Sequence, residues 1–135
     1  MGVSTDSVLA WGVPLGGPDE GWIVPFRDGT YEGPAWFDLD EEAESFAEQA
    51  NERLHHSGKT AHVLTFQSGT DPQYFLATWS VSAYRGQVLT LDLARVVAQP
   101  EVEYWAAALI TAASVLQIVG DVGTPAFTLL SYWGQ

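Results

Sequence analysis

The side chains with the most chemical potential in this chain are its acids. Asp40, Glu41, Glu42, Glu44, Glu48 and Glu52 crowd one short stretch, and Glu44, Glu48 and Glu52 recur every four residues. That spacing places them on one face of an α-helix, where like charges oppose each other by a few tenths of a kcal/mol per pair (~0.2–0.5) and so help neither helix nor fold. Two readings follow. A row of carboxylates can imitate a phosphate backbone and occupy a basic groove on another protein, or it can be the solvated face of a helix in a protein kept soluble by negative charge. Asp38, Asp40 and Glu42 alternate like the start of a calcium loop, but such a loop needs Gly at its sixth position and Glu at its twelfth, where this chain has Ala43 and Gln49. His55, His56 and His62 are the only histidines. Two of them are adjacent and point in different directions from a helix, so no metal site is expected.

No cysteine is present, which removes disulfides, thiolate metal sites and thiol nucleophiles. The chain has no Gly-x-Ser-x-Gly elbow, P-loop, dinucleotide fingerprint or zinc-protease His-Glu pair. With 17 acids some carboxylate pair will always look suitable for acid–base work, so no catalytic residue is assigned and no cofactor is expected. The remaining candidates are aromatic. Trp22, Tyr31 and Trp36 lie in a Gly- and Pro-rich insert at 16–37, where they would form a patch for a partner or a stacking surface for a sugar. Filling the core is the competing reading, as it is for Trp11, Trp79 and Trp133.

The elements that must position these residues can be read from periodicity. Leu9, Trp11, Val13 and Leu15 alternate with Val8, Ala10 and Gly12, a half-buried strand over 7–15 that Pro14 and Gly16-Gly17-Pro18 are expected to stop. Within the insert, Trp22 to Phe26 and Thr30-Tyr31 suggest a short hairpin closed by Asp28-Gly29. From Asp38 the period becomes helical, with Ala43, Phe46, Ala47, Ala50 and Leu54 on one face, Asp38 and Glu41 at capping-box spacing, and Gly58 as the stop. Strands are expected at 59–66 and 74–84, the second presenting Phe75, Ala77, Trp79, Val81 and Ala83 on one face. A tight turn at Arg85-Gly86 would lead into a third strand at 87–91. Pro100 reads as a helix start, opening a helix to about Ile118 that is apolar nearly all round and expected to be the most buried. It is too short to span a bilayer. Phe127 to Trp133 closes the chain as a strand.

The order strand, helix, strand, strand, helix, strand implies an α+β fold. We expect one domain over 1–135, an antiparallel sheet of four to five strands with two helices packed on one face, in the split βαβ order of ferredoxin-like domains.

Charge bounds the partners. Residues 1–56 carry 12 acidic and 2 basic side chains, net −10, and residues 57–135 carry 5 acidic and 3 basic, net −2, together the −12 of the whole chain. Such a field repels nucleic acid and anionic lipid and steers toward basic partners. Direct nucleic-acid binding and membrane binding are not expected. The N-terminus, Met1-Gly2-Val3-Ser4-Thr5-Asp6, has neither a basic region nor an apolar run of signal-peptide type, so a cytoplasmic location is expected.

The opening Gly2-Val3-Ser4-Thr5-Asp6-Ser7-Val8-Leu9-Ala10-Trp11-Gly12 and the closing Leu129-Leu130-Ser131-Tyr132-Trp133-Gly134 resemble small proteins encoded by actinobacterial phages. The resemblance implies a phage accessory protein made in the bacterial host cytoplasm and brings no catalytic residues with it. The sequence thus points first to a non-enzymatic accessory protein that binds a basic host protein through Asp40, Glu41, Glu44, Glu48 and Glu52, as a nucleic-acid mimic. A self-associating phage structural or assembly component comes second, and a small-molecule or sugar-binding module using Trp22, Tyr31 and Trp36 third.

Overall fold

The computed structural model describes residues 4–18, 21–30, 33–38, 45–58, 61–67, 72–84 and 86–134. It is an α+β fold. In chain order the elements are β1 (Ser4–Gly17), β2 (Gly21–Trp22), α1 (Phe46–His56), β3 (His62–Gln67), β4 (Gln73–Ala83), α2 (Leu93–Val102), α3 (Trp105–Val115) and β5 (Ala126–Gly134). The sheet is antiparallel and five-stranded, with β2, β1, β4 and β3 in order and β5 on the other side of β1. It curls, so that the edge strands β3 and β5 approach each other.

β1 runs through Pro14 rather than stopping there. β5 pairs with β1 only as far as Gly12 and β2 only from Gly16, so around Pro14 that side of β1 has no paired strand. A missing N–H that faces no partner strand costs little. The face of β1 carrying Trp11, Val13 and Leu15 meets the helices, whereas Ala10 faces away and joins Phe75, Ala77 and Leu130 in a second, smaller core.

Alternation fails in β4. Trp11 pairs with Trp79 but the next residue, Gly12, pairs with Ala77, leaving Thr78 as an extra residue in a β-bulge. The bulge reverses the parity of the strand. Tyr74, Leu76 and Trp79 therefore all face the helices while Phe75 and Ala77 face away, which corrects the single apolar face expected for 75–83. Gly12 sits where the strands press closest, because a Cβ there would run into the Leu76 carbonyl oxygen.

α1 begins at Phe46, not after Asp38. Ser45 is its N-cap, accepting from the Glu48 N–H at 3.2 Å and donating its hydroxyl to the Glu48 carboxylate at 3.1 Å; the cap thus lies at Ser45 and not at Asp38, whose expected partner Glu41 lies outside the described residues. The buried stripe Phe46, Ala47, Ala50 and Leu54 follows the expected period. Two amides pin the helix. Gln49 pairs with the backbone of Asp38, both bonds 3.0 Å, and Asn51 pairs with the backbone of Val63 at 2.6 and 3.0 Å. Val63 lies on an edge strand, so Asn51 occupies backbone groups that would otherwise template aggregation.

The second half departs furthest from expectation. Tyr84 gives its backbone N–H to the Gln87 side chain, and its carbonyl accepts from the Gln87 N–H. The turn ends the sheet, and 87–91 form no strand. Asp92 then caps α2 by accepting from the Arg95 N–H, and Pro100 lies inside that helix instead of starting one. With no N–H, Pro100 weakens the last turn. The chain breaks at Tyr104 in the left-handed region, φ 56°, and α3 restarts at Trp105. Two helices thus stand where one was expected, three among the described residues, and α2 packs on α3.

Thr78 offers a direct test, because its hydroxyl is buried with no hydrogen-bond partner. An unsatisfied buried hydroxyl costs more than its removal. Thr78→Val should raise the free energy of unfolding by about 1 kcal/mol, measured by urea denaturation.

Candidate functional site

Five aromatic rings gather around Phe46, which lies 4.7 Å from Tyr74, 4.9 Å from Trp22, 5.4 Å from Trp36, 5.5 Å from Phe37 and 6.2 Å from Phe26, centroid to centroid. The insert is therefore a plug over the helix-facing core. Trp22 stacks on Tyr74 and is half-buried. The expected hairpin does not form. Gly21 and Trp22 pair with the end of β1, Phe26 pairs with Ile118, and Asp28, with φ 55°, turns the chain so that the Gly29 N–H reaches the Phe26 carbonyl. Trp36 donates its indole N–H to the Leu116 carbonyl at 2.9 Å. Tyr31 lies outside the described residues.

The acidic row is only partly visible. Asp40, Glu41 and Glu44 lie outside the described residues. Glu48 accepts from the Ser45 hydroxyl at the N-cap, and both Glu48 and Glu52 are exposed. Glu52 and Trp36, which the sequence set apart as members of two surfaces, come together on one cavity of about 400 Å³ with Gln49, Arg53, His56 and Ser57. Arg53 lies over the Trp36 ring at 4.9 Å. That pairing was not foreseen; its only signal was a single arginine inside the acidic helix.

The histidines divide. His55 and His56 are exposed at the end of α1, and the His56 Nδ1 meets the Glu52 carbonyl at 2.7 Å. His62 is partly buried on β3, its Nε2 3.0 Å from the Ser80 hydroxyl. Among the described residues no three His, Asp or Glu side chains converge to hold a metal ion.

A different surface stands out once exposure is known. Seven of the ten large apolar side chains exposed among the described residues fall between 88 and 110: Val88, Leu89, Leu93, Val97, Val102, Tyr104 and Ile110. α2 buries only Val96. α3 buries Trp105, Leu109, Ala112 and Ala113 on one stripe and leaves Ala106, Ala107, Ile110, Thr111 and Ser114 in solvent, so it buries no more residues than α1 does, although the sequence suggested the most buried helix. Beside it runs a groove of about 330 Å³ lined by Ile110, Ala113, Ser114, Ile118, Asp121 and Val122. No helix among the described residues is long and apolar enough to cross a membrane.

Comparison with protein-family models, curated proteins and solved structures finds no match. The site must be argued from its own geometry.

Burial pushes the His62 imidazole below its ordinary value of 6.5. The unfolded chain then takes up a proton first as pH falls, and holds more protons than the folded one from 6.5 down to the lowered value. Stability contributed by neutral His62 is thus present above 6.5 and is lost as pH falls through that window. The urea midpoint of the wild type should drop across it, and His62→Gln, which keeps a partner for Ser80, should drop less.

Proposed function

We propose that this chain is a non-enzymatic binding protein that engages a protein partner through the open apolar face of α2 and α3. The observation that carries the reading is the concentration of exposed Leu93, Val97, Val102, Tyr104 and Ile110 on two adjacent helices. A contiguous apolar surface in water is unfavourable, and on a soluble domain it is the mark of an interface. α2 adds little to the core, so its apolar side chains are explained better by a partner than by folding.

Charge selects the partner. Residues 86–126 hold Asp92, Glu101, Glu103 and Asp121 against Arg95, a local net of −3 in a chain of −12. An apolar centre with an acidic rim favours a surface ringed by Lys and Arg, which gains orientation and association rate. A second copy, equally acidic, is the worse match. The acidic-decoy idea is thereby recast: the acids of 38–52 steer, and the helices bind.

Two finer readings accompany it. With β2 set aside, α1 crosses from β1 to β3 and the α2–α3 pair crosses from β4 to β5, and we class this as a split βαβ, ferredoxin-like sheet whose second helix is doubled. The resemblance of the termini to actinobacteriophage proteins supports a partner in the host cytoplasm.

Affinity capture from an actinobacterial lysate, with variants, separates the surfaces. V97D/I110D should lose a captured basic protein entirely, while E48K/E52K should keep it with at most about a ten-fold lower association rate, as loss of steering predicts. Capture abolished by E48K/E52K and untouched by V97D/I110D would return the function to the acidic helix.

A further inference from the structure

The cavity at the end of α1 holds an anomaly. In a chain with 17 acids and 5 bases, the guanidinium of Arg53 makes no ion pair and no hydrogen bond among the described residues, and its Nε is buried without an acceptor. What holds it is the Trp36 ring, 4.9 Å away. Trp36 is itself fixed, stacked on Phe46 on one side and bonded through its indole N–H to Leu116. The cation is thus pre-set on a rigid base, with its unused donors beside a space of about 400 Å³, within the size range of small-molecule sites.

The other walls restrict what fits. Glu52 lines the same space and is exposed. His56 is oriented by the Glu52 carbonyl, which can only accept, so Nδ1 carries the proton and Nε2 is left uncommitted. Gln49 is locked onto the Asp38 backbone and lines the cavity as a fixed wall. A planar fork such as Arg53 matches a carboxylate or a phosphate. Phosphate, with its higher charge, is disfavoured by Glu52 and by the net −10 of residues 1–56. A ligand that satisfies both Arg53 and Glu52 carries one carboxylate and one ammonium group.

We propose that this cavity binds a small zwitterion of the amino-acid type, its carboxylate on Arg53 and its ammonium on Glu52 and the His56 Nε2. The site stands apart from the α2–α3 face and does not depend on it.

The test is a titration followed by nitrogen–proton NMR at the Arg53 Nε–H and the Trp36 indole N–H, with L-alanine, acetate and inorganic phosphate as probes at constant ionic strength. L-Alanine should give saturable shifts at both signals with a Kd on the order of 1–10 mM, a range ordinary for so small a ligand. Acetate should bind at least about five-fold more weakly for want of the ammonium contact, and phosphate should not saturate. Arg53→Gln should abolish binding of both carboxylates, and Glu52→Gln should erase the preference for L-alanine over acetate while leaving acetate bound. Shifts that stay linear for all three probes, saturable binding of phosphate in preference to L-alanine, or an Arg53→Gln or Glu52→Gln protein that binds L-alanine as the wild type does would each overturn the assignment.

Discussion

One extra residue in β4 governs how this chain divides its apolar side chains. Without the bulge at Thr78, strict alternation would put Trp79 on the same face as Phe75 and Ala77, away from the helices. With it, Trp79 and Trp11 stand together and receive Trp105, each indole pair 5.6 Å apart. Trp105 is the large anchor of α3, and the rest of its buried stripe is Leu109 with two alanines. A stripe so narrow seats the helix by one side only. The outward side of α3, and α2 beyond it, are left to solvent as a consequence.

The aromatic residues follow the same logic. Phe46 opens α1 and collects the rings of the insert, so a Gly- and Pro-rich segment with almost no regular structure is held by ring packing and by single hydrogen bonds such as that from Trp36 to Leu116. Burying a ring of this size contributes roughly 1.5–3 kcal/mol, and edge or offset contacts add to it. Trp22 and Trp36 pack against the core while remaining partly exposed. Arg53, lying over Trp36, is the point where this packing reaches a charged surface.

Much of the fold was legible in the residues. The alternation of Trp11, Val13 and Leu15 and the helical spacing of Phe46, Ala47, Ala50 and Leu54 each predict a buried face that the structure has. Local chemistry misled where tertiary context overrode it. Ser45 with Glu48 caps α1 in place of the equally plausible Asp38 with Glu41, Pro100 sits inside a helix, and one bulged residue defeats any count of alternation. The site was less legible. The open face of α2 and α3 consists of ordinary Leu, Val and Ile, and only the folded arrangement shows that nothing in the described chain covers them. Arg53 carried no motif at all; its interest comes from lacking a partner.

An exposed apolar face on a strongly acidic domain is a compromise between adhesion and repulsion. Net charge of −12 opposes pairing of identical copies while leaving the face free for a basic partner. The most direct measurement of that balance is light scattering on the pure protein after size-exclusion chromatography, at low salt and at physiological salt. A monomer is expected in both. A dimer that survives in both, and that Ile110→Asp dissolves, would mean that the face is filled by a second copy of this chain and would contradict it.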